Sequence, residues 1–267
     1  MPSRLSKVNG ERAAELRRAW ARRMLFLAAL LLAWAGLAEL NLWPEYVLPS
    51  PLAVAETFVA GMRSGVFVLA LGVSARRIAV GYALSLAIGL TLGLLLGRVR
   101  ILRDTVGSLV VGLQALPSVS WLPLALLWFG LNDAAIIFVV VMGALFSIVQ
   151  GVEAGVLNTP PQYVKAARVL GARGLALYTE VVLPAALPSV LSGLKQGWAF
   201  AWRSLMAGEL LFYTISLGNL LQVGRDLNDT AQVIAVMFLI VIVGMVVDQL
   251  VFAPAENAVR RRWGLGG

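Results

Sequence analysis

The sequence predicts an all-α membrane protein with six transmembrane helices and a long helical loop between the fourth and fifth. The composition is the first reason: charged residues make up 13% of the 267 residues and hydrophobic residues 60%, whereas soluble domains are about 25% charged. The second reason is a set of six long apolar runs, each close to the roughly 20 residues that cross a bilayer. The third is that basic residues gather at the ends of these runs, where the membrane surfaces would lie.

The predicted spans are separated by polar segments of unequal length. They cover residues 24–40, 78–97, 105–131, 134–152, 185–212 and 231–253. The third span contains Pro117 and Pro123, which allow a kink or a break because proline cannot donate the helical hydrogen bond. Small residues recur at every fourth position of the second span, where a neighbouring helix can approach closely, namely Gly81, Ser85, Gly89, Gly93 and Gly97. Ordinary helix packing is favoured over a sliding contact as their role.

The distribution of Lys and Arg predicts that both termini lie in the cytoplasm. Most basic residues fall in four segments on one side of a six-span chain: the tail 1–23, the loop after the second span, the loop 153–184 and the tail 254–267. The region 24–253 between the tails is then one transmembrane domain. A cleaved signal peptide is an alternative for the first span, but its long basic leader and long apolar run favour a retained anchor.

Composition also limits the chemistry that the chain can perform. The chain has no Cys and no His, which excludes disulfides, thiolate chemistry and histidine-based metal sites or acid–base catalysis. The net charge of +8 would suit a nucleic-acid partner, but the placement of the basic residues beside apolar runs favours a membrane instead. We therefore expect neither a metal site nor bound nucleic acid.

The loop 153–184 is predicted to contain two short helices. Thr159 suits the N-cap of the first, with Pro160 at its first helical position. Gly171 suits a left-handed residue that ends it after Leu170. A second helix over residues 172–182 is expected to stop before the proline that follows.

One face of the first loop helix is built mostly from small residues. Its members fall at helical spacing: Tyr163, Ala166, Ala167 and Leu170. Lys165 and Arg168 lie beside this face. An amphipathic helix in the lipid interface is the alternative explanation, but such a helix would present bulkier side chains. Small residues favour insertion into a groove of another protein.

The fifth span contains three charged residues, which is unusual inside a membrane. Lys195 is near enough to the cytoplasmic end to extend to the interface. Arg203 lies deeper, where a charge is costly and faces a partner or a cavity. We expect it to pair with Glu209, Glu39 or Asp248 in preference to attracting an anionic solute. The candidates for lining a path through the membrane are Arg203 and Glu209 in this span and Gln114 and Ser118 in the third.

Several short motifs between residues 45 and 220 resemble those of bacterial ABC-importer permeases of the nitrate/sulfonate/taurine branch. They are Leu48-Pro49-Ser50-Pro51, Leu122-Pro123-Leu124, Trp128-Phe129-Gly130, Lys165-Ala166-Ala167 with Gly171, Val182-Leu183-Pro184 and Ala207-Gly208-Glu209. The chain departs from the family pattern at Lys165, where Glu is usual, and at Ser216-Leu217-Gly218, where Gly-Leu-Gly is usual. The Lys165 departure reverses a charge at a contact that the family makes with its ATPase.

The resemblance implies a permease subunit of the bacterial inner membrane that is not itself an enzyme. It implies a second copy of this chain, two ATPase subunits that hold ATP and Mg, an external solute-binding protein, surrounding lipid, and a small anionic solute. The ATPase would contact a coupling helix whose residues are Tyr163, Lys165, Ala166, Ala167, Arg168, Leu170 and Gly171. No Gly-Lys dipeptide is present, so the chain has no Walker A loop to bind ATP, and no bound cofactor is expected.

Two other classes of protein compete with an ABC permease. A secondary transporter or channel would often show inverted repeats or paired broken helices, and only one span is broken by prolines. A membrane scaffold or enzyme is the other, but the intramembrane residues offer no convincing catalytic constellation.

Overall fold

The computed structural model describes residues 2–262, with the side chains of residues 2–16, 19, 175 and 262 left out of the description. Ten helices account for nearly all of this part of the chain. We number them α1 Pro2–Glu39, α2 Pro51–Arg63, α3 Val66–Arg98, α4 Arg100–Gln114, α5 Ser118–Phe129, α6 Asp133–Leu157, α7 Pro161–Val169, α8 174–209, α9 Leu217–Asp226 and α10 Thr230–Arg261. No strand occurs among the described residues, as the predicted fold class requires.

Four helices in the described part of the chain are long and apolar enough to cross a membrane. They are the part of α1 from Trp20 to Glu39, and α3, α6 and α10. The bent pair α4 and α5 counts as a fifth crossing if it is one broken span. The α-helical part of α8 has 27 residues, which is long enough to cross a membrane. Its polar and charged residues, however, make it less apolar than the four helices named above. The prediction of six spans therefore depends on α8 and stays a prediction.

The third predicted span is broken, as its prolines indicated. The axes of α4 and α5 meet at 102°, and Pro117 at the break is extended with φ −54° and ψ 135°. Other boundaries differ from the predictions. Helix α1 is helical well before residue 24, and α3 begins at Val66, which is twelve positions before the predicted start. Charged residues such as Arg76 and Arg77 shortened the apolar run without shortening the helix.

The second helix of the loop does not stop before Pro184. Helix α8 runs without interruption from residue 174 to residue 209, and a π-helical turn over Tyr178–Val182 comes directly before the proline. The predicted stop was wrong for a physical reason. A wider π turn shifts the hydrogen-bond register, so that the missing N–H of the proline is accommodated without ending the helix.

Helices α3, α6 and α8 form the core, with α6 between the other two. A Cβ atom built on Gly151 of α6 would lie 2.5 Å from the Cα of Gly193 in α8, so the two backbones touch there. On the other side, a Cβ on Gly81 of α3 would lie 2.6 Å from Val140, and one on Gly93 2.6 Å from Val152. The small residues of α3 thus serve close helix packing.

The orientation of the chain can be tested with single cysteines, because the sequence has none of its own. Leu42 and Leu227 are exposed beyond the helix ends at one end of the molecule, and Asn158 is exposed before α7 at the other. With both termini inside, an impermeant thiol reagent added outside cells should label Leu42→Cys and Leu227→Cys but not Asn158→Cys. Labelling of Asn158→Cys before permeabilisation would reverse the orientation.

Candidate translocation and coupling sites

Three of the four residues proposed for the membrane path line a single cavity. Gln114 and Ser118 reach it from the break between α4 and α5, and Arg203 reaches it from α8. The volume is about 280 Å³, and the rest of its lining includes Met142, Gly143, Phe146 and Phe200. The tight α6–α8 contact places Arg203 beside the broken helix, since a Cβ on Gly143 would collide with Ser204 next to it.

Arg203 is a cation without a carboxylate partner among the described residues. Its guanidinium carbon lies 5.4 Å from the ring centroid of Phe200, and no ion pair or hydrogen bond of its side chain occurs in the described part of the chain. The expected pairing was wrong. Glu209 is bound to Arg77, and Asp248 is bound to Lys195.

Glu209 lies in a buried network instead of the cavity. Its carboxylate is fully buried, receives a 3.0 Å hydrogen bond from Nη1 of Arg77, and receives others of 2.8 Å from Ser74 Oγ and 3.1 Å from the Gly218 backbone. Such a set of donors satisfies a buried carboxylate, which would otherwise be costly. The network joins the N-terminal part of α3 and the C-terminal end of α8 to the start of α9.

Arg77 extends this network to two further elements. Its Nη2 lies 2.6 Å from Asp133 Oδ1, at the first turn of α6, and 2.8 Å from Thr214 Oγ1. Asp133 also pairs with the more exposed Arg76. Neither arginine was identified as a site residue from the sequence. Their place outside the four basic segments was the signal that could have identified a paired arginine.

Lys195 is paired and does not simply extend to the interface. Its Nζ lies 2.7 Å from Asp248 and 3.3 Å from Glu256. Asp248 begins a π-helical turn of α10, and Glu256 lies about two turns beyond it. These pairs connect α8 to the C-terminal part of α10. Arg77, Lys195 and Glu209 are therefore each paired with an opposite charge, whereas Arg203 has no such partner among the described residues.

Helix α7 ends as the sequence predicted but begins differently. Gly171 has φ +94°, the backbone N–H of Ala172 donates to Ala167 O at 2.9 Å, and that of Gly171 donates to Arg168 O at 3.1 Å. These bonds form a Schellman C-cap, which requires a left-handed residue at Gly171. The N-cap, however, is Pro160, because the Thr159 hydroxyl donates to Gly155 O at the end of α6.

The faces of α7 differ in exposure. Ala167 is buried within the chain itself, and α7 packs against the segment 174–182. The remaining residues proposed for the ATPase contact are exposed: Tyr163, Lys165, Ala166, Arg168, Leu170 and Gly171. Leu170 is 88% exposed and its neighbour Val169 is 87% exposed, so the end of α7 presents two solvent-exposed aliphatic side chains. Val169 had not been identified from the sequence.

The comparisons with known proteins agree with this architecture. Residues 86–262 match the family model of the binding-protein-dependent transport system inner membrane component. A putative ABC transporter permease of Methanocaldococcus jannaschii is 35% identical over 178 residues, which are 66% of this chain and 67% of that protein. The putative aliphatic sulfonates transport permease SsuC of Bacillus subtilis is 28% identical over 251 residues, which are 92% and 91% of the two chains.

A solved structure shows the same fold. A chain of the MetNI methionine ABC transporter, in inward-facing conformations, superposes with a TM-score of 0.64 at 22% identity, covering 73% of this chain and 96% of that one. The match to the family model decides against a secondary transporter, a channel or an enzyme. The chain belongs to the family of binding-protein-dependent transport system inner membrane components and is a permease subunit of an ABC importer, in which a separate subunit hydrolyses ATP.

Proposed function

We propose that two copies of this chain form a path for a small anion across the bacterial inner membrane, and that the cavity at Arg203 is part of the path. One observation carries the proposal: Arg77 and Lys195 are both paired with carboxylates, whereas Arg203 meets the cavity without one among the described residues. A charge inside a membrane protein faces a partner or a cavity that carries solute. The solutes named for three relatives, aliphatic sulfonates, nitrate and taurine, support a sulfonate-, nitrate- or taurine-like solute.

The partners follow from the two ends of the molecule. The exposed end of α7, with Leu170 and Val169, is the surface that we assign to the ATPase subunits. The opposite end, with α9 and the loop before it, faces a solute-binding protein that delivers the solute. Lipid surrounds the exposed apolar sides of α1, α3 and α10. The second copy covers the break between α4 and α5, which leaves apolar side chains such as Leu116 and Val119 exposed. Both termini lie in the cytoplasm.

The proposal predicts that Arg203→Gln lowers uptake without disassembling the importer. A hydrogen bond to a charged group contributes about 1.5–3 kcal/mol, so uptake should fall roughly tenfold or more. Assembly with the ATPase and basal ATP hydrolysis should be unchanged. The matched control is Arg63→Gln, which removes the same charge from an exposed arginine of α2 and should transport normally. Full uptake by Arg203→Gln would remove Arg203 from the path.

A further inference from the structure

The cavity around Arg203 has a chemistry that selects among anions. We infer that it accepts an organic anion with one oxyanion head and an uncharged apolar tail, and that it disfavours zwitterionic and inorganic anions. This inference rests on the proposed function, because it takes the Arg203 cavity to be part of the solute path. It narrows the solute from any small anion to one class.

The head of the solute is matched by Arg203. A guanidinium carries five N–H donors in a planar fork that fits carboxylate, sulfonate or phosphate oxygens. In the described structure none of these donors is bound to a protein acceptor, and the guanidinium lies near the Phe200 ring. Ser118 adds a hydroxyl to the lining and Gln114 an amide. The amide also donates to Ser147 Oγ at 3.4 Å.

The remaining walls of the cavity are apolar and therefore suit an apolar tail of the solute. Met142, Phe146 and Phe200 line the cavity together with Leu116 and Val119. The Phe200 ring lies next to the guanidinium, so a solute bound by its head to Arg203 would extend along aromatic and aliphatic surface. Each buried methylene strengthens binding about fourfold. An inorganic anion such as nitrate would leave this surface unused.

A positive group on the tail would have no counter-charge. None of the described residues that line the cavity is Asp or Glu. Two carboxylates near this part of the core are engaged by other cations, Glu209 by Arg77 and Asp248 by Lys195. An ammonium group would lose its water in the cavity without gaining an ion pair, which is costly. The volume of about 280 Å³ is at the small end of ligand pockets, which start at roughly 300 Å³, and it suits a short tail.

The test measures direct binding of solutes to the purified permease–ATPase complex. The solute-binding protein is omitted, so that its own selectivity does not affect the measured affinities. Titration calorimetry would compare methanesulfonate, propanesulfonate, taurine and nitrate. Taurine and propanesulfonate are a matched pair, because they differ by an ammonium in place of a methyl group. We expect propanesulfonate to bind at least tenfold more tightly than taurine, and more tightly than methanesulfonate by about fourfold per methylene. Nitrate should bind more weakly than propanesulfonate.

Two variants separate the failure of this inference from the failure of the proposed function. Arg203→Gln should weaken all the anions, whereas Phe200→Gln should weaken propanesulfonate and leave methanesulfonate nearly unchanged. If Arg203→Gln weakens binding but taurine binds as well as propanesulfonate, the apolar-tail inference is wrong and the path proposal stands. If Arg203→Gln changes no affinity, or if the unsubstituted complex binds none of the anions, both are overturned.

Discussion

Replacing Glu209 with leucine is expected to lower the free energy of unfolding of the permease by about 3–5 kcal/mol, the cost of removing one partner of a buried ion pair. The Arg77 guanidinium is 2% exposed and Glu209 is fully buried. Without the carboxylate, Ser74 Oγ and the Gly218 N–H also lose an acceptor. Asp133 still pairs with Arg77 in the variant, so we expect the lower part of this range. Thermal denaturation in mild detergent and the yield of assembled complex would measure the effect.

Two comparisons make this prediction specific. Glu56→Leu is the matched control, because Glu56 is an exposed carboxylate of α2 outside the network, and it should leave stability unchanged. Replacing both ions of the pair, as Arg77→Met with Glu209→Leu, also removes the buried cation that has lost one of its two carboxylate partners. Well-packed apolar substitutes for a buried ion pair are often neutral, so the double variant should be more stable than Glu209→Leu alone. Wild-type stability of Glu209→Leu would show that the pair is not buried in the assembled permease.

Local signals in the sequence predicted the local features of the structure. Pro117 marked the break between α4 and α5, because a missing N–H acts within one turn. Gly171 marked the end of α7, because a left-handed C-cap depends on one residue. The apolar runs located the long helices α3, α6 and α10. Each of these features is decided by residues within a few positions of each other, which is the range over which a single sequence is informative.

Pairing across the fold was not accessible in the same way. Arg77 and Glu209 are separated by 132 positions, and nothing local distinguishes that pair from Arg203 with Glu209. The close α6–α8 contact likewise requires that Gly151 and Gly193, which are far apart in the sequence, lie opposite each other in the packed helices. Lys195 and Glu209 of α8 are likewise neutralised by side chains on other helices and not by residues nearby in the sequence. Only the three-dimensional structure could therefore identify Arg203 as the cation without a carboxylate partner among the described residues.

Valine at Gly171 is expected to abolish transport while leaving the permease folded. The residue has φ +94°, and a Cβ there would meet no heavy atom within 4 Å. The substitution therefore acts through backbone conformation, at a cost of roughly 1–3 kcal/mol for a strained residue. Relief of the strain would break the C-cap bonds and move the exposed end of α7. Since this end is the proposed ATPase contact, solute-stimulated ATP hydrolysis and uptake should fall tenfold or more.

The control is Gly244→Val. Gly244 lies within α10, also has open space around it and has a right-handed helical backbone, so this variant should transport normally.

A companion variant tests the exposed surface of α7 instead of its backbone. Leu170→Asp places a charge on an 88% exposed side chain, so it should leave the fold intact and release the ATPase during copurification. Ala166→Trp should act in the same way, because Ala166 is exposed. Ala167→Trp, in contrast, should disturb the loop itself, since Ala167 is buried against it.

Lys165→Glu separates shape from charge at this contact. It restores the residue that is usual in the family and should be tolerated if the shape of α7 governs docking, because an exposed charge pair contributes only about 0–1 kcal/mol. Copurification of the ATPase and the ratio of solute transported to ATP hydrolysed would be measured for all these variants in parallel. Normal coupling in both Gly171→Val and Leu170→Asp would show that α7 is a connector, and the ATPase would have to dock elsewhere on the cytoplasmic surface.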